Sequence, residues 1–134
     1  MCGICGLSHS DEHPPERALL EKMNAALAHR GPDSDGFHVA AGVGLAMRRL
    51  AIIDLRAVAN QPMSNEAGTI WITFNGEIYN FRELRAELEA RGHLFRTHSD
   101  TEVIIHAYEE YGRDCLDRLR GMFALALWDG RTRS

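Results

Sequence analysis

Little in this chain supports a secreted, membrane-bound or nucleic-acid-binding protein. Only three cysteines, Cys2, Cys5 and Cys115, occur in 134 residues, an odd and low number for a disulfide scaffold, so they read as reduced thiols. The longest strongly apolar stretch, 122–128, is far short of the roughly 20 residues that cross a bilayer. No basic segment followed by an apolar signal core opens the chain, and a cytoplasmic location away from membranes is the expectation. Charge of one sign is also scarce: 15 basic against 19 acidic residues leave a net −4. With no lysine or arginine run to follow a phosphate backbone, nucleic acid is not an expected partner. There is no Gly-x-Gly-x-x-Gly or Walker loop to hold ATP, and no internal repeat.

What is present is an ordinary globular composition, 45% hydrophobic and 25% charged, at a length that suits one domain over residues 1–134. The short apolar run 4–7 predicts a strand that ties the N-terminus into the core. After Pro14-Pro15, the residues Leu19, Leu20, Met23, Ala26 and Leu27 recur at helical spacing until Gly31-Pro32. Strands are expected over 37–41 and 43–46, joined through Gly42, and a further extended run over 50–55. Residues 57–68 read as a loop. Residues 69–74 are rich in β-branched and aromatic side chains, predicting a strand that ends in an Asn75-Gly76 tight turn. Asn80 with Glu83 and Ser99 with Glu102 have the form of two capping boxes, opening one helix that stops at Gly92 and another that stops at Gly112. A last strand, 122–128, precedes Asp129-Gly130, which promises a hairpin partner. The irregular strand and helix order predicts an α+β sandwich rather than a doubly wound parallel sheet.

Several residues carry chemistry, each with a plainer alternative. If Met1 is removed, Cys2 bears a thiol and a free α-amine, a nucleophile and its base in one residue; otherwise it is only the residue after the start. Cys2, Cys5, His9 and His13 invite a zinc module. The short spacing and a strand that turns residues three apart to opposite faces argue against it, and no metal site is expected. Asn75-Gly76 offers a side-chain amide beside a backbone N–H that could hold an oxyanion, or is an ordinary turn. Arg48-Arg49 could fork a carboxylate, or be a solvated pair. Asp100 could bind an ammonium group, or serve its helix dipole. Together these groups would hold and attack an α-amino acid with a side-chain amide, such as glutamine. His29, His93, His98 and His106 have no nucleophile to serve and read as surface or structural groups, and Cys115 as a small buried hydrophobe.

In order along the chain come Met1-Cys-Gly-Ile-Cys-Gly6, His29-Arg-Gly-Pro-Asp-Ser-Asp-Gly36, Arg49-Leu-Ala-Ile-Ile-Asp-Leu55, Gln61-Pro-Met63, Asn75-Gly-Glu-Ile-Tyr-Asn80, Ser99-Asp-Thr-Glu102 and Gly121-Met-Phe-Ala-Leu-Ala-Leu-Trp-Asp129. This set resembles the class II, N-terminal nucleophile, glutamine amidotransferase domain, and specifically the glutaminase half of glutamine-hydrolysing asparagine synthetases. The resemblance implies an αββα sandwich of two antiparallel sheets. It implies that Cys2 attacks glutamine, that Asn75 and Gly76 stabilise the oxyanion and that Arg49 binds the α-carboxylate. Asp100 and Glu77 would bind the α-ammonium, and the Ile52-Ile53 backbone would line the pocket. Ammonia would pass to a synthetase domain that amidates aspartate, the ligase step of asparagine biosynthesis.

The chain departs from the family in two ways. Met47 and Ala51 stand where a histidine and a serine are common, removing two polar groups near the expected pocket. The further strands of the glutaminase domain and the ATP-pyrophosphatase domain have no counterpart, so the expectation is a C-terminally truncated glutaminase domain that needs no cofactor. ATP and magnesium would belong to the synthetase domain. Glutamine and that C-terminal domain are the expected partners, and a homodimer stays open. A catalytically silent folding or binding module, and an amidotransferase with another acceptor, are the alternative readings.

Overall fold

The computed structural model describes residues 2–134; the expected removal of Met1 lies outside them. The elements are β1 (Gly3–Ser8), α1 (Arg17–Ala26), β2 (Ser34–Ala40), β3 (Val43–Arg49), β4 (Met63–Ser64), β5 (Ile70–Ile78), α2 (Phe81–Ala90), α3 (Asp100–Tyr111) and β6 (Gly121–Asp129). They form two antiparallel sheets ordered β1-β3-β2 and β4-β5-β6. Helix α1 packs on β1 and β3, α3 packs on β5 and on α2, and β1 and β3 meet β5. The layers therefore run helix, sheet, sheet, helices, the expected αββα order.

Strand alternation decides what each sheet turns toward the other. In β3, Gly44 lies against Leu20 and Pro15, and Arg48 donates its Nε–H to the Asn24 carbonyl of α1 at 3.3 Å. Leu45, Met47 and Arg49 consequently face the second sheet. In β1, Gly3 lies against Leu27, which turns its neighbours Cys2 and Ile4 the same inward way. Across the interface, His38 of β2 stacks on Trp71 of β5 with ring centroids 3.9 Å apart. The other face of β5 supplies Ile70, Ile72, Phe74 and Ile78 to the main core, where they pack with Leu84, Leu88, Val103 and Ile104.

Four expectations are corrected. The run 50–55 is a loop instead of a strand, because Arg49 draws it into a ring: its guanidinium donates to the carbonyls of Asp54 and Arg56 and to Asn60 Oδ1. Asn75-Gly76 is no turn, since β5 continues to Ile78 against β6, with Gly76 opposite Phe123. In α1, which starts at Arg17, Leu19 is exposed and Asn24 takes the inner face. The two capping boxes are incomplete. Asn80 turns its side chain to the Arg118 carbonyl and the Arg120 N–H, both at 2.9 Å. Ser99 does cap α3 by accepting from Thr101 N, while Glu102 binds the backbone N–H groups of Arg96 and Thr97 and the Thr97 hydroxyl.

Candidate active site

A cleft of about 350 Å³ opens between the sheets, and Cys2, Arg49, Ile52, Ile53, Asn75, Gly76, Glu77 and Asp100 all line it. These eight residues, singled out over 99 positions of sequence, come from the start of β1, the end of β3 and its following loop, the second half of β5 and the first turn of α3.

Cys2 is half-buried, with its sulfur held by one residue: Leu50 N donates to Sγ at 3.3 Å, and the thiol faces the Leu50 carbonyl at 3.6 Å. Its own carbonyl accepts from Arg30 Nε at 3.0 Å, which fixes the backbone that presents the thiol. Cys5 and Cys115 lie outside the cleft. Burial pushes both thiols up, and the charges of Asp114 and Asp117 push Cys115 further, leaving them less ionised than a nucleophile requires.

The β5 backbone makes the donor edge of the cleft. Phe74 N donates to Gln61 Oε1 at 2.6 Å and Ile78 N to Asp100 Oδ2 at 3.0 Å. Strand N–H groups alternate in direction, so Gly76 N–H falls on this same edge, midway between two groups already bonded to side chains. Asn75 is half-buried beside it. Gly76 has φ +152°, and a Cβ there would sit 2.2 Å from the Met122 carbonyl oxygen and 2.5 Å from Phe123 Cα. No larger residue fits without moving β6.

Arg49 is only 8% exposed. Its Nη1 serves Asn60 at 2.8 Å and Arg56 O at 3.5 Å, and Nη2 serves Asp54 O. Of five N–H donors, Nε–H and one Nη2–H have no partner among the described residues, enough for a two-pronged hold on a carboxylate. Asp100 is buried, and that burial, with the nearby Glu77 charge, raises its carboxyl above the ordinary aspartate value against the pull of the backbone N–H bonds. A buried carboxylate in this state gains from an incoming cation. Glu77 is exposed at the mouth, where Ile52 and Ile53 are also exposed, at 62% and 42%.

The sequence reading overlooked Gln61 and Asp54. Gln61 is buried, bridging Phe74 N and the Thr101 hydroxyl; its only signal was membership of the Gln61-Pro-Met63 block that carries the family resemblance. Asp54 is gripped by Arg56 through Nε at 2.9 Å and Nη2 at 2.6 Å and accepts from His98 N at 2.9 Å. Of the two departures from the family, Met47 does line the cleft. Ala51 does not; its N–H is tied to Asp33 at 2.8 Å. Cys2, Cys5, His9 and His13 form no chelating group among the described residues, where the converging sets are built around His106. That histidine, read as a surface or structural group, is buried.

A glutamine amidotransferase domain model matches residues 1–134. The chain is 47% identical to asparagine synthetase [glutamine-hydrolyzing] 1 of Bacillus subtilis, over 96% of this chain and 21% of that protein. It is also 47% identical to asparagine synthetase [glutamine-hydrolyzing] 1 of Arabidopsis thaliana, over 100% of this chain and 23% of that one. The chain thus spans about a fifth of the length of these curated relatives. Among solved structures, glutamine phosphoribosylpyrophosphate amidotransferase from B. subtilis superposes with a TM-score of 0.70 at 21% identity, over 96% of this chain and 35% of that chain. That likeness is one of fold.

Proposed function

Because the chain belongs to the glutamine amidotransferase domain family, we propose that its cleft hydrolyses glutamine to glutamate and ammonia through a γ-glutamyl thioester on Cys2. The observation that carries this reading is the convergence of a thiol, a strand-edge N–H beside an amide, a guanidinium and a buried carboxylate on one cleft.

With Met1 removed, the Cys2 amine takes the thiol proton and the sulfur attacks the side-chain carbonyl carbon of glutamine. The Asn75 amide and Gly76 N–H receive the developing oxyanion. Collapse breaks the C–N bond, and the amine's proton leaves with ammonia. Water, activated by the freed amine, then adds to the thioester, releasing glutamate and restoring the thiol. Arg49 holds the α-carboxylate, and Asp100 with Glu77 the α-ammonium. The chemistry draws every group from the chain and calls on no cofactor. By analogy with its relatives, the ammonia feeds a C-terminal synthetase region that amidates aspartate, in the cytoplasm, where thiols stay reduced.

The test is an intact-mass spectrum before and after exposure to an electrophilic glutamine analogue, with Cys2→Ala as the blank. Loss of the Met1 mass and a single adduct that the blank lacks is the expected result. Unlabelled protein, or equal labelling of the blank, would overturn the reading.

A further inference from the structure

Away from the cleft, two imidazoles and a carboxylate converge where the segment after α2 crosses α3. His93 Nδ1 lies 3.2 Å from His106 Nδ1. Glu109 Oε2 lies 3.0 Å from His106 Nδ1 and 3.7 Å from His93 Nδ1. His106 and Glu109, three residues apart on α3, share one helix face. A ring nitrogen has a single in-plane site, so His106 Nδ1 cannot bond both neighbours well. Three donor atoms at 3.0–3.7 Å from one another instead match the edges, about 3.3–3.4 Å, of a tetrahedron with metal–ligand bonds of about 2.0–2.1 Å.

The surroundings orient His93 and Glu109. His93 Nε2 faces Glu110 Oε2 at 3.2 Å, which keeps the proton on Nε2 and bares Nδ1. Glu109 Oε1 accepts from Asn65 Nδ2 at 2.8 Å, leaving Oε2 free. His106 is 2% exposed, and its Nε2 has no hydrogen-bond partner among the described residues; it points between Glu66 and Glu102 at 3.6 and 3.8 Å. Both carboxylates lie beyond hydrogen-bond distance, so their charge favours a cation at this ring without fixing its orientation. A second cluster, Glu66, Glu102 and His106 Nε2, is the weaker candidate because the Glu102 carboxylate already accepts from Arg96 N, Thr97 N and the Thr97 hydroxyl. His93 and Glu109 are partly exposed, giving an ion an entry path.

We propose that His93, His106 and Glu109 bind one divalent transition-metal ion of the zinc type, with a fourth position open to solvent. Imidazole ligands select against magnesium and calcium. The ion pins the segment after α2 to α3 about 9 Å along the helix from Asp100, six residues at about 1.5 Å each, so its role is structural support of the helix that carries Asp100.

The test is titration of chelator-treated protein with Co²⁺ and then Zn²⁺, following visible absorption and thermal midpoint. One equivalent of Co²⁺ with the strong bands of a tetrahedral site, displaced by Zn²⁺ but not by Mg²⁺, is expected, with a raised midpoint. Because Cys2 with a free amine is itself a chelator, the Cys2→Ala protein must behave identically and show no thiolate-to-cobalt band. His93→Ala, on a partly exposed segment that leaves the core intact, should weaken binding by about 100-fold or more, and Glu109→Gln by at least about tenfold, since losing a direct ligand costs no less than losing an outer partner. Absent stoichiometric binding, binding that survives both substitutions, or binding that disappears with Cys2→Ala would overturn the site.

Discussion

At the residue scale, Gly76 and Asp100 show two ways in which one position can be indispensable. Gly76 is required by its own backbone angle and by the approach of Met122 and Phe123. Gly76→Ala should cost about 3 kcal/mol of stability, combining left-handed strain with a close contact, and a urea unfolding curve measures it. In the proposed reaction Asp100 serves through its charge. Asp100→Asn keeps the side-chain shape and an acceptor for Ile78 N but loses the counter-charge for an ammonium group. We expect KM for glutamine to rise about thirty-fold or more with a smaller change in kcat, the signature of about 2 kcal/mol of lost binding. The raised carboxyl has a signed consequence. In the empty protein the folded state holds the proton more tightly than the unfolded one, so Asp100 lowers stability as pH climbs from the ordinary aspartate value through its raised one. An ammonium ligand reverses the preference. Glutamine binding to Cys2→Ala protein, which cannot turn it over, should therefore release protons in that acid range, and calorimetry in two buffers of different ionisation enthalpy reads the release; adding Asp100→Asn should reduce it.

At the element scale, the loop 50–56 is the part of the site that hydrophobic pattern misread. Residues 50–55 have the composition of a strand, yet the Arg49 guanidinium and the Asp54 carboxylate wind them into a ring, leaving Ile52 and Ile53 outward at the mouth. The side-chain bond from Arg56, with the N–H bonds from His98 and Arg56, holds Asp54 well below the usual carboxylate range against the cost of burial. For a lowered group the stabilisation is complete above the unfolded value, near 3.9, and is lost as pH falls through the folded one. Asp54→Asn should remove it at neutral pH and cost about 1–3 kcal/mol, with a thermal midpoint that becomes less sensitive to acid than the parent's. The same substitution should slow labelling of Cys2, because the loop also positions Leu50.

At the scale of the whole molecule, the cleft exists because two sheets are held face to face and each supplies half of it. Cys2 and Arg49 belong to the β1-β3-β2 sheet or its margin, Asn75 and Gly76 to the other, and Asp100 arrives on a helix from beyond it. Any ligand that spans them stabilises the packing of both layers. At 100 times its dissociation constant, glutamate should add about 2.7 kcal/mol to the unfolding free energy, seen as a shift of about 10 °C that Cys2→Ala retains and Asp100→Asn loses. The residues that line the cleft were legible in the sequence because residue type and order report them: a cysteine after Met1, an amide before a glycine, an acidic helix start. Periodicity likewise revealed the strands and helices whose apolar faces must be buried. Contacts between distant residues leave no such trace. The continuation of β5 past Gly76, the bridging by Gln61 and the meeting of His93 with His106 were decided only by the tertiary structure, since each depends on groups from different elements being brought within hydrogen-bond distance; the ring around Arg49 closes over 5 to 11 residues, but a buried guanidinium bonding backbone carbonyls has no hydrophobic period to announce it.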